Sequence, residues 1–245
     1  MKGYKILNIV QKWKNFFFFR TIILIFAAKL EHMTQIEELN ALRQLGNVPI
    51  DVAVLKDVFH EYLSPVKKVQ ALEQAGKLIK LKRGLFVVSP QISGKMLSLE
   101  LIANHLYGPS YVSLHYALRH YGLIPERVFL VTSVTTRHTR RFENSLANFS
   151  YRGVSKDYFP IGVRSEEADG IAYLIATPEK AICDMLMQER YVPDQSVASL
   201  EVFFEEDMRI EIEDLRSMNR DIIRACMEVG NKKNILANLL KLMER

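Results

Sequence analysis

Between residues 34 and 88 the chain passes through three short helical patterns and then two β-runs closed on a glycine turn, and that order restricts its fold more than any other feature. Thr34, with Glu37 three residues on, has the form of a capping box, and Ile36, Leu39, Leu42 and Leu45 share a face of the helix it opens. Gly46-Asn47 ends that helix, and a second is expected from Pro49 to Tyr62 with Val52, Leu55, Val58 and Phe59 at helical spacing. Ser64 caps a third, with Pro65 at the first helical position, where its missing N–H costs nothing. Val66, Val69 and Leu72 face inward on it and Gly76 stops it. Leu78-Ile79-Lys80-Leu81-Lys82 and Leu85-Phe86-Val87-Val88, separated by Arg83-Gly84, read as a hairpin.

Three helices and then a hairpin is the element order of a winged helix-turn-helix, in which the third helix enters the major groove and the hairpin tip lies over the phosphates. The charge supports this locally rather than globally. The chain has 33 Lys+Arg against 28 Asp+Glu, a net charge of +5 and a pI of about 9.1. All of that surplus sits in residues 1–32, where Lys2, Lys5, Lys12, Lys14, Arg20 and Lys29 face Glu31 alone. A separate surplus of five lies within residues 64–83, where Lys67, Lys68, Lys77, Lys80, Lys82 and Arg83 stand against Glu73. The apolar set of the third helix leaves Lys67, Lys68, Gln70, Glu73 and Gln74 outward, and lysine and glutamine reach phosphates and base edges. The same lysines would also solvate an exposed helix and protect a sheet edge, and a winged helix can serve as a protein-interaction module. A steep loss of binding with salt separates DNA contact from both.

At 49% apolar and 25% charged, the composition excludes a disordered, collagen-like or disulfide-scaffold chain. Phe16 to Ala28 is apolar, but it is 13 residues long and Arg20 interrupts it. A spanning helix needs roughly 20 apolar residues, so no membrane anchor is expected. A secretory signal would need an unbroken apolar stretch and a small-x-small cleavage site, and the expected natural start is Met33, with residues 1–32 a leader that is non-native or disordered. Cys183 and Cys226 belong to no C-x-x-C pair and lie in apolar helical patterns, so they read as core hydrophobes of a cytoplasmic protein.

After a linker at Gln91 to Gly94, helices are expected from Leu97 to Leu106 and from Tyr111 to Tyr121, the latter capped by Ser110. Strands are expected at Val128 to Thr132, Asn148 to Val154 and Ile171 to Ile175, followed by a helix from Pro178 to Met187 capped by Thr177. Three amphipathic stretches, Ser196 to Met208, Ile212 to Met227 and Ile235 to Met243, form a helical tail from about residue 191. The tail carries eight cations and eleven anions, which argues against DNA contact there. Its helices either pack on the domain before them or pair with another chain. The expected architecture is α+β: a winged helix-turn-helix over 33–90, then a mixed α/β domain over 91–245 with a helical C-terminal tail.

Three segments, GKLIKLKRGLFVVSP (76–90), GPSYVSLHYALRHYGLIPERVFLVT (108–132) and IATPEKAICDML (175–186), together resemble the AbiEi antitoxins of abortive-infection, type IV toxin–antitoxin systems. The likeness runs from about residue 34 to 188. It implies a non-enzymatic protein without cofactors, whose winged helix represses its own operon at inverted repeats of double-stranded DNA. It further implies a C-terminal domain that counteracts a nucleotidyltransferase-like toxin without a stable complex. The positions it assigns to DNA are Ser64, Lys67, Lys68 and Gln70 on the third helix and Lys80, Lys82 and Arg83 in the hairpin. A second candidate basic surface is Arg137, Arg140 and Arg141, suited to DNA backbone, RNA or an acidic partner, with a solvated loop as the alternative. Inverted-repeat binding would make a homodimer or cooperative binding useful. The alternatives are a winged-helix transcriptional regulator without a toxin partner, and a nucleic-acid-modifying enzyme.

Enzyme motifs speak against the last. There is no Asp-x-Asp metal pair, no H-E-x-x-H, no G-x-x-x-x-G-K and no G-x-S-x-G, and Pro193-Asp194 has no acidic-x-Lys to complete a nuclease motif. His115 and His120 would lie roughly 140° apart around a helix, a poor metal pair. Glu179 and Asp184 read as a cap-region charge and a surface or ion-pair residue. Tyr111, Tyr116 and Tyr121, spread around their helix, suit packing better than base stacking.

Overall fold

Helix α1 covers residues 35–45 in a computed structural model that describes residues 35–188 and 196–245. Thr34 of the expected capping box and the start of the tail near residue 191 lie outside the described residues. Strand β1 (Ile50–Asp51), α2 (Val52–Val58), α3 (Pro65–Gln74), β2 (Leu78–Lys82) and β3 (Leu85–Val88) follow, with the strands antiparallel in the order β1-β3-β2.

The helix expected over 49–62 is instead a short strand and a seven-residue helix. Asp51 makes the switch: it stays extended, and its carboxylate accepts from Ala53 N at 2.8 Å to cap α2. β1 exists because β3 pairs with it, Ile50 opposite Phe86, and a two-residue pairing partner leaves no periodicity to read. Pro65 does open α3, behind Ser64 whose hydroxyl makes no cap bond. Gly76, at φ +69°, closes α3 with Lys77 N donating to Leu72 O at 2.9 Å, the left-handed stop that glycine takes without strain.

Leu42, Ile50, Leu55, Phe59, Val69, Leu72, Leu78, Phe86 and Val88 form one core. Ile36, Val58 and Val66, expected inward, are 47%, 36% and 45% exposed. All three sit near helix ends, where the neighbouring elements no longer cover the apolar stripe.

The second unit contains α4 (Pro90–Ser93), α5 (Leu99–Leu106), β4 (Ser110–Val112), α6 (Leu114–His120), β5 (Leu130–Thr135), β6 (Arg140–Glu143), β7 (Asn148–Gly153), β8 (Val163–Ala168), β9 (Ile171–Ala176) and α7 (Pro178–Gln188). Its strands form a mixed sheet ordered β6-β7-β5-β4-β9-β8, in which β5 runs parallel to β7 and β4 to β9. The molecule is thus mixed α and β with two sheets, as the α+β reading expects.

Four segments depart from the sequence reading. Residues 110–112, expected to open a helix, are a central strand paired on both sides, and α6 starts only at Leu114. Burial of Ser110, Tyr111 and Val112 between β5 and β9 outweighs the local helical pattern. Strands β6 and β8 were not expected, because both are edge strands built of charged and half-exposed residues without apolar alternation. The expected linker at 91–94 contains the single turn α4, closed by Gly94.

Helices α8 (Val197–Val202, running on into a π-helical turn at Phe203–Asp207), α9 (Ile212–Arg216), α10 (Arg220–Val229) and α11 (Lys233–Met243) pack into the same core as the sheet. The stretch expected as one helix over 212–227 breaks at 217–219, where the Asn219 side chain accepts from Asp221 N at 2.9 Å and caps α10. Among the described residues no helix is long and apolar enough to cross a membrane.

The hairpin is shared between the units. Along β3, Phe86 and Val88 enter the first core while Leu85 and Val87 enter the second, so this strand is buried on both faces. Leu81 joins the second core from β2, and Asn144 Nδ2 donates to its carbonyl at 3.2 Å. Asn47 Nδ2 ties the first unit to the Met96 carbonyl at 2.6 Å.

Candidate nucleic-acid interface

Of the positions assigned to α3 and the hairpin, Lys67, Gln70 and Arg83 are exposed and Ser64 is half-buried. The other three cations are engaged. Lys68 forms an ion pair with Glu38 and stands 4.4 Å over the Tyr62 ring centroid, and Lys77 reaches the other Glu38 oxygen at 2.6 Å. Burial works to raise the Glu38 carboxyl, but its hydrogen bonds and charge contacts with Lys68 and Lys77 prevail and hold it below the usual carboxylate range. Burial likewise pulls on Lys68, and its bonds to Glu38 and Tyr62 outweigh that and raise it. Lys68, expected outward, thus braces α3 against α1. Lys80 lies 3.6 Å from Glu73 in an exposed pair.

Lys82 turns away from the tip and donates to the Leu106 carbonyl at 2.6 Å, at the C-terminal end of α5, where backbone carbonyls lack helical partners. Burial lowers its ammonium, and the positive charges of Arg137 and Arg140 lower it further. These cations meet around Tyr107, just beyond α5. The Arg137 and Arg140 guanidinium carbons lie 5.5 and 5.8 Å from the Tyr107 ring centroid, and Arg140 also stacks 4.8 Å from Phe142. Tyr107 in turn packs edge-on to Tyr151 at 5.3 Å and tilted on Phe142 at 5.5 Å.

The turn that carries Arg137 fits because residue 153 is glycine. A Cβ there would stand 2.6 Å from the Arg137 carbonyl, and Gly153 N donates instead to Thr139 Oγ1 at 3.2 Å. Arg140 and Arg141 are successive residues on β6 and so point to opposite sheet faces. Arg141 lines a separate cavity of about 430 Å³ with Leu130, Glu143 and Asn148. The structure therefore joins Arg137 and Arg140 to the hairpin's Lys82, and leaves Arg141 apart. Arg137, Arg140 and Arg141 are all exposed, and among the described residues none of them, nor Lys67 or Arg83, pairs with a carboxylate.

A second charged group lies in the interior. Lys180 on α7 donates to the Tyr158 carbonyl at 2.9 Å, stands 3.1 Å over the Tyr158 ring centroid and is 3.5 Å from Asp184 Oδ1. The Ser113 hydroxyl donates to Asp184 Oδ2 at 2.6 Å. Burial raises the Asp184 carboxyl, opposed first by Lys180 and then by hydrogen bonds led by Ser113. With both side chains fully buried, Asp184 is no surface residue, and the pair is a polar brace within the core. Glu179 does serve as a cap-region charge, accepting from Asn219 N at 3.0 Å where α10 begins. Tyr111 is sealed in the core, while Tyr121 donates to the Ala176 carbonyl at 2.8 Å and Tyr116 to Glu100 at 2.9 Å. No group of three or more His, Cys, Asp or Glu among the described residues could hold a metal ion.

Sequence reasoning did not single out Glu38, Tyr107 or Lys180. The only signals were position: Glu38 one residue from the expected cap partner, Tyr107 at a helix end, and Lys180 spaced four before Asp184. No protein-family model matches this chain, and no curated protein does.

Proposed function

We propose that this chain is a non-enzymatic, DNA-binding antitoxin and autorepressor of a type IV toxin–antitoxin operon. The observation that carries the DNA-binding part is the meeting of Lys82 from the hairpin with Arg137 and Arg140 from the sheet around Tyr107. Two basic patches that are far apart in sequence meet there, with the half-buried Lys82 at the base and Arg137 and Arg140 presenting exposed guanidinium groups that no carboxylate pairs among the described residues, the electrostatic form that phosphate binding requires. In this reading 35–88 act as a winged helix. Lys67 and Gln70 on α3 and Arg83 at the hairpin tip face the duplex, and Arg137 and Arg140 extend the contact along its backbone. Lys68 and Lys82 hold the reading elements in place instead of touching phosphate.

The antitoxin part rests on the resemblance of residues 76–90, 108–132 and 175–186 to AbiEi proteins, which also suggests a nucleotidyltransferase-like toxin that is antagonised without a stable complex, while the cytoplasm is suggested by two cysteines that belong to no C-x-x-C pair. The same DNA-binding surface would equally serve a transcriptional regulator without a toxin. A downstream gene whose product halts growth, and is neutralised by this chain, separates the two.

The test is binding to the duplex upstream of the chain's own gene, measured by fluorescence anisotropy over a range of salt. Affinity is expected to fall linearly on a logarithmic plot with a slope of about −0.9 for each phosphate contacted. Arg137→Ala with Arg140→Ala is expected to flatten that slope by about 2 and weaken all sequences alike, whereas Gln70→Ala weakens the operator selectively. A double variant with unchanged affinity and slope would remove the second unit from the interface.

A further inference from the structure

We infer that Cys183 and Cys226 form a redox-active pair that a hydroperoxide converts to an intrachain disulfide, stapling α7 to α10. The pairing follows from how the two helices run. At one level Gly162 lies between them, so close that a Cβ there would meet Lys180 Cβ and Ile222 Cγ2, each at 2.8 Å. At the far end, a Cβ on Gly230 would meet Met187 Sδ at 3.0 Å. The numbering offset is 42 at the first level and 43 at the last, so the helices are parallel and in register, and Cys183 and Cys226 share the offset of 43. Between these levels Lys180 Nζ reaches Cys226 Sγ at 3.9 Å. Both thiols are free and buried, and neither belongs to the basic surface.

The two sulfurs are not equivalent. The Cys183 thiol against Cys226 holds the latter below its ordinary value, with the Lys180 ammonium adding to the effect against burial. Cys183 is pushed up by the same contact and by burial. Cys226, whose sulfur is the one that the Lys180 ammonium reaches at 3.9 Å, is accordingly the first nucleophile. Its sulfur attacks a peroxide oxygen, the O–O bond breaks, and the displaced hydroxide leaves as water with the Cys226 proton. The sulfenic acid so formed is attacked by the Cys183 sulfur. The S–S bond forms, the S–O bond breaks, and the hydroxyl leaves as a second water with the Cys183 proton. Two electrons pass from the thiols to the peroxide, and no other co-reactant is needed. Burial restricts the oxidant to a small neutral molecule such as hydrogen peroxide.

The experiment treats the folded full-length chain with hydrogen peroxide, blocks remaining thiols in denaturant and measures intact mass and disulfide-linked peptides. The expected result is loss of both thiols, a mass lower by two hydrogens and one intrachain link between Cys183 and Cys226. Cys183→Ala is expected to stop at a sulfenic acid on Cys226 that dimedone traps, and Cys226→Ala to leave Cys183 reacting at least about tenfold more slowly. The pairing is overturned if the wild-type chain keeps both thiols at a dose that oxidises it fully when unfolded, or if it links only between chains. Thiol content of the wild-type chain does not depend on variants folding, nor on whether the chain binds DNA.

Discussion

Glu38 is held by Lys68 and Lys77 at the rim of the first unit, where the two lysine side chains keep 20% and 29% of their exposure, whereas Lys180 and Asp184 meet in the second unit with none. The chemistry is the same and the environment differs. At the rim, water reaches the two ammonium groups while the Glu38 carboxylate between them is buried, so losing Glu38 leaves lysines that can be resolvated. In the core, the partners of Lys180 and Asp184 are each other, Ser113, the Tyr158 carbonyl and the Cys226 sulfur, and a charge left behind there has no water to turn to.

The sharpest way to break this contrast is Lys180→Met, which strands Asp184. It is expected to cost about 3–5 kcal/mol in urea unfolding, with Asp184→Leu added on top recovering most of the loss. A cost below about 1 kcal/mol would mean that the interior is wetter than its burial indicates.

Glu38→Gln is expected to cost less, about 1–2 kcal/mol, because its lysines can return to solvent. The difference between wild type and variant should also depend on pH. Glu38 titrates lower folded than unfolded, so its contribution is complete above the ordinary carboxylate value and disappears as pH falls through the lower folded one. Unfolding curves from pH 7 downward should converge in that acidic window, and a difference that persists through it would contradict the assignment.

The smallest effect is expected from Lys80→Ala, which removes an exposed pair with Glu73. About 0–1 kcal/mol is the range for such pairs, with no change in unfolding cooperativity.

Legibility followed how local the determinants are. Pro65 at the first turn of α3, Gly76 at its end, the Arg83-Gly84 turn and the strands β7 and β9 are encoded within a few residues, and they occur where periodicity and turn chemistry put them, whereas the strand expected at Val128 to Thr132 is displaced to Leu130–Thr135, with Phe129 exposed. β1, β4, β6 and β8 are encoded by their partners. A two-residue strand, a buried three-residue strand and two polar edge strands have no repeat long enough to read, and each exists only because a neighbouring strand offers its hydrogen bonds. The basic surface divides in the same manner. That Lys67, Gln70 and Arg83 are exposed was readable from the apolar set they oppose, but that Lys68 would be bound to Glu38 depended on where α1 comes to rest.

The amino-acid sequence alone determined the element order of residues 64–88, the α+β class and the local excess of positive charge, because all three depend on spacing and composition within a short window. Only the tertiary structure decided which of those charges remain free. It turned Lys82 onto the end of α5, carried Arg137 and Arg140 to it and sent Arg141 to the other face, since the field around a cation is set by whatever the fold brings near it, irrespective of distance along the chain.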